Sequence, residues 1–365
     1  MEPEPNLNFG IAFHCGMQVF YNPVTWDIVD VDEKLGAAIE AFIVECESQK
    51  KLYLERHKLT ELSEEMEDEY LNALDLGAGM FTYHAAYVHP KFDNWFRPVM
   101  VEIPFEVPLV DPDGPGMLLR CTNSPQCGQT HSNDHNNDDS IVVYGGRVDA
   151  LVEDINDGGY YLFDWKTAAL LSKNDEFLNL DDQFGGYCWA LLVKLNLDIR
   201  GFVYAETRKD FPRNPRLLKR MHRGCIFSTV KTQATTIEIF EPYVAKHDPV
   251  AFANGNYDEY LDFLRSAEAT QFSNRMPVMK SDVELEAIGH NISVEAADMV
   301  QHPRIYPNIS RFHCNSCKYR QPCIGEFRGE HLDLLWEGSY IQTDRRHWMI
   351  EERRLEEKEE VETEL

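Results

Sequence analysis

Residues 144–166 read YGGRVDALVEDINDGGYYLFDWK. At the two-residue period of a strand, Val142, Tyr144, Val148, Ala150 and Val152 fall on one face, and Arg147 and Asp149 on the other. Asn156, Asp157, Gly158 and Gly159 then supply turn chemistry. The alternation resumes with Tyr161, Phe163 and Trp165 on one side and Asp164 and Lys166 on the other. The pattern predicts a hairpin that gathers Asp149, Asp164 and Lys166 beside an apolar layer. Two carboxylates and an ammonium at a sheet surface suit a hydrolytic divalent-metal site. Taken alone, the hairpin is better explained as a solvated edge on which Lys166 neutralises two aspartates. The rest of the chain reverses that preference.

The chain has 365 residues, 43% of them hydrophobic and 12% aromatic, enough for a large core as one elaborated domain or two. It contains no long apolar run of spanning length and its start, MEPEPNLNFG, lacks the basic and apolar regions of a signal peptide. No membrane association is expected. The formal charge of −27 excludes non-specific nucleic-acid binding by bulk charge, but not a nucleic-acid enzyme with locally concentrated bases. Nine cysteines without a secretory signal suggest a reducing compartment and metal-binding or buried thiols. That points to the cytoplasm.

Upstream of the hairpin, residues 9–20 read as a short helix with Phe13, Met17 and Phe20 in a stripe, and His14 beside it reads, alone, as a core or surface histidine. Asp30 and Glu33 form a capping box for a long helix buried through Leu35, Ile39, Phe42 and Cys46. A second helix is predicted from about Ser63 to Val88. In 99–109 strand alternation puts Val101, Ile103, Phe105 and Val107 on one face and Glu102, Pro104 and Glu106 on the other, with Pro104 marking an edge. Downstream, residues 181–196 read as a helix buried through Phe184, Cys188, Leu191 and Leu195, on which Gln183 and Tyr187 are i,i+4 neighbours. Gly185 and Gly186 are poor helix formers, so something other than propensity selects them. Residues 200–206 read as a further strand, which makes a mixed sheet with helical crossovers. Residues 208–223 hold Arg208, Lys209, Arg213, Arg216, Lys219, Arg220 and Arg223 against a single acid, Asp210. This segment could track a phosphate backbone or be a solvated loop. Helices follow near 236–247 and 257–268, and 270–310 looks irregular. The tail from Glu351 is charged and helical in composition.

Cysteines mark two further places. The polar loop 111–140 holds Cys121, Cys127, His131 and His135, a spacing that matches no standard finger and suits either a loop zinc or a plain insertion. Near the end, Cys314, Cys317 and Cys323 form a C-x2-C-x5-C triplet with His313 adjacent. An iron–sulfur cluster or zinc would suit it.

Together these pieces resemble the PD-(D/E)XK nuclease superfamily, and more closely its RecB-like branch with the CRISPR-associated exonucleases and phage homologues. GxxxH appears as Gly10 to His14, GxxD as Gly146 to Asp149, DxKT as Asp164 to Thr167, and QxxxY as Gln183 to Tyr187. The resemblance implies an α/β (mixed α+β) fold with a restriction-endonuclease-like core, a central mixed sheet flanked by helices. The core would span 1–268, with a helical insertion at 30–88 and the polar loop 111–140. A cysteine-rich metal-binding segment at 269–344 and a charged tail at 345–365 would follow.

The implied activity is metal-dependent DNA hydrolysis, exonucleolytic on single strands or duplex ends, in recombination, repair or phage DNA processing. His14, Asp149, Asp164 and the Trp165 main-chain carbonyl would ligate Mg²⁺ or Mn²⁺, and Lys166 would serve catalysis with Asp149 and Asp164. Gln183, Tyr187, Glu102 and Arg147 would support the site or touch DNA. The cysteine triplet would hold a [4Fe-4S] cluster, or Zn²⁺ in its place. The family's upstream cysteine is absent before Gly10: either the chain start is truncated or misassigned, or the site differs, with Cys15 or Cys46 as the fourth ligand or His313 completing a zinc site. A recombinase or helicase partner is also implied. The alternative is an inactive nuclease fold that binds DNA or a partner.

Overall fold

The structure is a computed structural model that describes residues 8–336 apart from 115, 122–140, 173–175, 302–313, 315, 316, 318 and 334. Cys127, His131, His135, His313 and the charged tail lie outside the described residues. The chain divides into two compact units, Met1–Gln301 and His302–Leu365.

In the first unit, helices α1 (Phe9–Phe20), α2 (Val31–His57), α3 (Glu64–Tyr83) and α4 (His89–Phe92) come first, with a π-helical turn at His84–Val88 between the last two. Strands β1 (Phe96–Pro108), β2 (Val143–Asp154) and β3 (Tyr160–Ala168) follow, then helix α5 (Asp182–Leu195) and β4 (Ile199–Arg208). A small hairpin, β5 (Leu217–His222) and β6 (Cys225–Phe227), leads to α6 (Ile237–His247), α7 (Pro249–Ala253) and α8 (Asp258–Arg265). Strand β7 (Ser273–Met279) and helix α9 (Asp282–Gln301) complete the unit. The described part of the second unit includes helix α10 (Arg320–Arg328). No helix among the described residues is long and apolar enough to cross a membrane.

The five-stranded sheet has the order β1-β2-β3-β4-β7. β1–β2, β2–β3 and β4–β7 are antiparallel, whereas β3 and β4 run parallel. A parallel pair needs a crossover, and α5 supplies it. On one side of the sheet Ala150, Val152, Tyr161, Phe163, Trp165, Val203 and Ala205 pack with Phe13, Met17 and Phe20 of α1, Phe42 of α2 and Phe81 of α3. On the other side Leu151, Leu162, Phe202 and Val278 pack with Phe184, Cys188 and Leu191 of α5 and Leu285 of α9. Each of these large apolar side chains stabilises the fold by about 1.5–3 kcal/mol on burial. The sequence expectation of a central mixed sheet flanked by helices therefore holds.

Local signals explain the elements that build the site. Asn8 caps α1 by accepting from the Ile11 N–H at 3.4 Å. Asp30 caps α2 by accepting from the Glu33 N–H at 2.9 Å, and Ser63 caps α3 through the Met66 N–H. Asp181 caps α5, accepting from the N–H groups of Gln183 and Phe184. The two glycines of α5 are selected by contact: a Cβ on Gly185 would lie 2.7 Å from Ile288 Cδ1, and one on Gly186 would collide with the Tyr144 hydroxyl. They let α5 settle between α9 and β2.

Two expectations are corrected. Strict alternation fails at one level of the sheet. Val142, Tyr144 and Val148 lie on the α5 side, whereas Ala150 and Val152 face α1. β1 behaves likewise, with Val101 toward α1 but Ile103, Phe105 and Val107 toward α5. Glu102, opposite Asp149, has φ 48°. That left-handed residue turns the strand over. The second correction concerns 270–310. Residues 273–279 form the edge strand β7, and 282–301 form α9. The helix carries Leu285, Ile288, Ile292, Ala296 and Val300 at three- and four-residue steps along its buried stripe.

Candidate metal centre

The ladder between β2 and β3 ends at Ala150 and Phe163. Beyond that pair the strands diverge, and the fork between them holds the chemistry. Asp149 occupies one prong. Its Oδ2 accepts from the Trp165 N–H at 2.8 Å, replacing the missing ladder bond with a side chain. His14, on α1, presents Nδ1 to the same oxygen at 3.4 Å. The turned-over Glu102 of β1 comes in from the other side. Among the described residues, His14, Glu102 and Asp149 form the one group of three whose ligand atoms all lie within 4.8 Å of one another. Glu102 also pairs with Arg147, Oε2 to Nε at 2.9 Å.

Asp164 and Lys166 occupy the other prong. Lys166 Nζ donates to Asp164 Oδ1 at 2.7 Å and stands 2.6 Å from Oδ2, the latter outside hydrogen-bonding geometry. Asp164 lies beside the group of three rather than within it, and Glu102 joins His14 and Asp149 there. The sequence reading placed Glu102 among the groups that support the site or touch DNA rather than among the ligands, because its placement depends on a backbone angle that composition does not reveal.

The electrostatics favour a cation. Burial, reinforced by the charge of Asp149, pushes the Asp164 carboxyl up to about 6 against the pull of Lys166. Burial pulls His14 down, but the hydrogen bond and charge of Asp149 outweigh it and leave its pKa raised. Asp164 Oδ2 is buried without a hydrogen bond. A buried carboxylate oxygen left in that state is costly, and a divalent ion would relieve it. One imidazole and two or three carboxylates are a donor set that suits Mg²⁺ or Mn²⁺. The residues therefore fit the metal that their sequence pattern implies.

The motif glycines are explained by their neighbours. A Cβ on Gly10 would lie 3.3 Å from Asn8 Oδ1 and 3.8 Å from Thr167 Oγ1, so the start of α1 sits close to the end of the Asp164–Thr167 motif. A Cβ on Gly146 would come 2.7 Å from Phe105 Cζ and 3.1 Å from Tyr187 Cε1. Tyr187 thus packs directly over β2, and its hydroxyl accepts from Gln183 Nε2 at 3.1 Å.

Two supporting arrangements carry little signal in the sequence. Beneath the fork, Trp165 stacks on Tyr21, with centroids 5.3 Å apart. The Tyr21 hydroxyl donates to Asp93 Oδ2 at 2.5 Å, and Arg275 grips both Asp93 oxygens at 3.0 Å. His84 Nε2 lies 2.8 Å from the same hydroxyl. All four polar groups are buried, and the Arg275 charge and hydrogen bonds hold Asp93 below the usual carboxylate range despite burial. Alongside, Glu206 is in register with Lys166 and accepts from both the N–H and the hydroxyl of Ser172 at 2.7 Å. It clasps the loop that leaves β3.

The cysteines stand apart. Burial pushes the Cys15 thiol up to about 11 and Cys46 to about 12. Cys314, Cys317 and Cys323 lie in the second unit and do not bring their sulfurs together in any such group among the described residues. Of the loop ligands, Cys121 is described, and it is buried.

A family model for the PD-(D/E)XK nuclease superfamily matches residues 1–324 of the chain. No curated protein matches it.

Proposed function

The chain belongs to the PD-(D/E)XK nuclease superfamily, and from that premise we propose that it is a Mg²⁺- or Mn²⁺-dependent deoxyribonuclease of the RecB-like branch, acting as an exonuclease in recombination, repair or phage DNA processing. The observation that carries this reading is the convergence of His14, Glu102 and Asp149 beside the Asp164–Lys166 pair. His14, Glu102 and Asp149 would hold the cation, with Asp164 and the Trp165 carbonyl as further oxygen donors. When bound, a divalent cation supplies Lewis-acid polarisation of a phosphoryl oxygen and lowers the pKa of water.

The chain's own groups supply orientation and charge. The Trp165 amide fixes the rotation of Asp149, so its free lone pairs face α1 without reorganisation cost. Lys166, held by Asp164, places its Nζ donor at the fork. It orients the attacking water and offsets the negative charge that grows on the phosphoryl oxygens as the P–O bond to the leaving nucleotide breaks. Gln183 and Tyr187, locked to each other, border the DNA. For the cysteine triplet, whose sulfurs are not gathered among the described residues, an iron–sulfur cluster would show visible absorbance at roughly 400 nm and a zinc site would show bound zinc in a colourless protein.

The deciding experiment is degradation of linear single-stranded DNA with Mn²⁺ or Mg²⁺ by the wild type and by Lys166→Ala. Activity in the wild type and its loss in a folded variant support the reading. Full activity in Lys166→Ala overturns it.

A further inference from the structure

The segment that leaves the sheet after β4 carries cations that the metal centre does not use. It starts at the site. Ala168, two residues past Lys166, is in register with Arg208, and the Lys209 N–H donates to the Ala168 carbonyl at 2.7 Å. Residues 210–216 then lead to the β5–β6 hairpin.

β6 is anchored. Cys225 and Phe227 are buried among Phe240, Val244, Tyr257 and Leu261 of the α6–α8 cluster. The Ile226 N–H donates to Asp248 Oδ2 and the Phe227 N–H to the Tyr257 hydroxyl, each at 3.2 Å. β5 is displayed on this anchor: five of its six residues are exposed. Such a ribbon would be marginal without the cluster behind it.

Arg216, Lys219, Arg220 and Arg223 project from this ribbon and are exposed. Among the described residues none of these four side chains has an ion-pair or hydrogen-bond partner. Arginines elsewhere at the surface do find carboxylates: exposed Arg97 with Glu153, half-buried Arg200 with Asp157 and Asp198, and exposed Arg265 with Glu241. In a chain of 62 acidic and 35 basic residues, four cations on one ribbon without a partner among the described residues repel one another, and an anion laid along the ribbon would relieve that repulsion.

The turn gives an independent indication. Arg223 has φ 50° and Gly224 φ 81°, between the paired residues His222 and Cys225. Both central residues are left-handed, the geometry for which Asn-Gly is preferred. An ordinary L-residue there costs about 1–2 kcal/mol. Selection for stability alone would favour Asn; Arg places a cation at the tip.

We propose that the β5–β6 hairpin is a DNA-tracking arm, on which Arg216, Lys219, Arg220 and Arg223 bind the phosphate backbone of the strand engaged at the metal centre. The proposal rests on the nuclease reading and adds to it where the strand runs. Residues 209–216 span at most about 29 Å when extended. Strand phosphates recur about every 3.4 Å along a duplex. That upper bound puts the start of the arm within roughly ten nucleotides of the scissile bond, well inside the reach of a 30-mer.

The test uses the full-length chain and the triple variant Lys219→Ala, Arg220→Ala, Arg223→Ala. Binding of a fluorescent 30-nucleotide single-stranded DNA in EDTA should weaken about tenfold or more, and the slope of log K against log salt should fall by about 2, near 0.7 for each phosphate that the variant no longer neutralises. With Mn²⁺, the ratio of kcat/KM on the 30-mer to that on a 6-mer should fall about tenfold, carried by KM. Lys51→Ala, at an exposed charge on α2 outside the arm, should leave that ratio unchanged. Arg223→Asn should weaken DNA binding while matching or exceeding the wild type in thermal stability. A triple variant with wild-type salt slope and wild-type length dependence overturns the arm. So does tighter binding of a 30-mer RNA than of the DNA. A wild type that binds the 30-mer through the arm but cleaves no DNA overturns the nuclease reading alone.

Discussion

The buried histidine beneath the fork makes the fold acid-labile by an amount that can be worked out. Tyr21 has one hydroxyl proton, and it goes to Asp93. His84 Nε2 must therefore donate to the Tyr21 oxygen, which leaves Nδ1 bare, and Nδ1 is buried without a partner. The ring is neutral, and burial holds its pKa down at about 3 although Asp93 pulls the other way. In the unfolded chain the same ring titrates near 6.5. Below pH 6.5 the unfolded state gains a proton that the folded state refuses. Stability is thus fully present above 6.5 and is lost progressively as the pH falls toward 3. At pH 4.5 the deficit is two pH units at about 1.4 kcal/mol each, about 3 kcal/mol from this ring.

His84→Gln keeps an N–H donor for Tyr21 and removes the titration. His89, also lowered by burial, and His14, raised, titrate in both proteins and cancel in the comparison. Asp93, whose pKa is lowered from 3.8, loses its contribution only at lower pH. The assay is urea unfolding at pH 7 and pH 4.5, followed by tryptophan fluorescence. The variant should lose about 3 kcal/mol less than the wild type between the two. Equal losses, or an NMR titration of His84 near 6.5 in the folded protein, would refute the reasoning.

Two further outcomes follow from the geometry. Glu102→Gln should weaken Mn²⁺ binding, measured calorimetrically, by at least about tenfold, the scale that even outer-shell ligand partners reach; unchanged affinity removes Glu102 from the ligand set. Gly146→Ala forces a methyl against the buried Phe105 ring and Tyr187. It should cost about 1–3 kcal/mol in urea unfolding and lower kcat, because the Gln183–Tyr187 pair is displaced.

Much of the site was legible because its residues are local in sequence or lie at strand and helix periods. Asp149, Asp164 and Lys166 sit on one hairpin, and Gln183 and Tyr187 are one helical turn apart. The turning-over of β1 was not legible: Glu102 looks like one more outward acid of an alternating strand until its φ is known. α9 was hidden by Gly289, Asn291 and Ser293, poor helix formers that interrupt the pattern. Gly289 is there because a side chain would strike Trp189. The Tyr21–Asp93–Arg275 network joins residues far apart in the chain, with no periodicity to reveal them.

The oxygen that completes the β2–β3 fork serves two masters. Asp149 Oδ2 accepts the Trp165 amide and lies against His14 at the cation position. Electron density given to a cation is withdrawn from that hydrogen bond, so occupancy of the centre and opening of the sheet become linked quantities. One backbone proton, exchanging with solvent faster or slower, would then gauge whether the candidate cation site is filled.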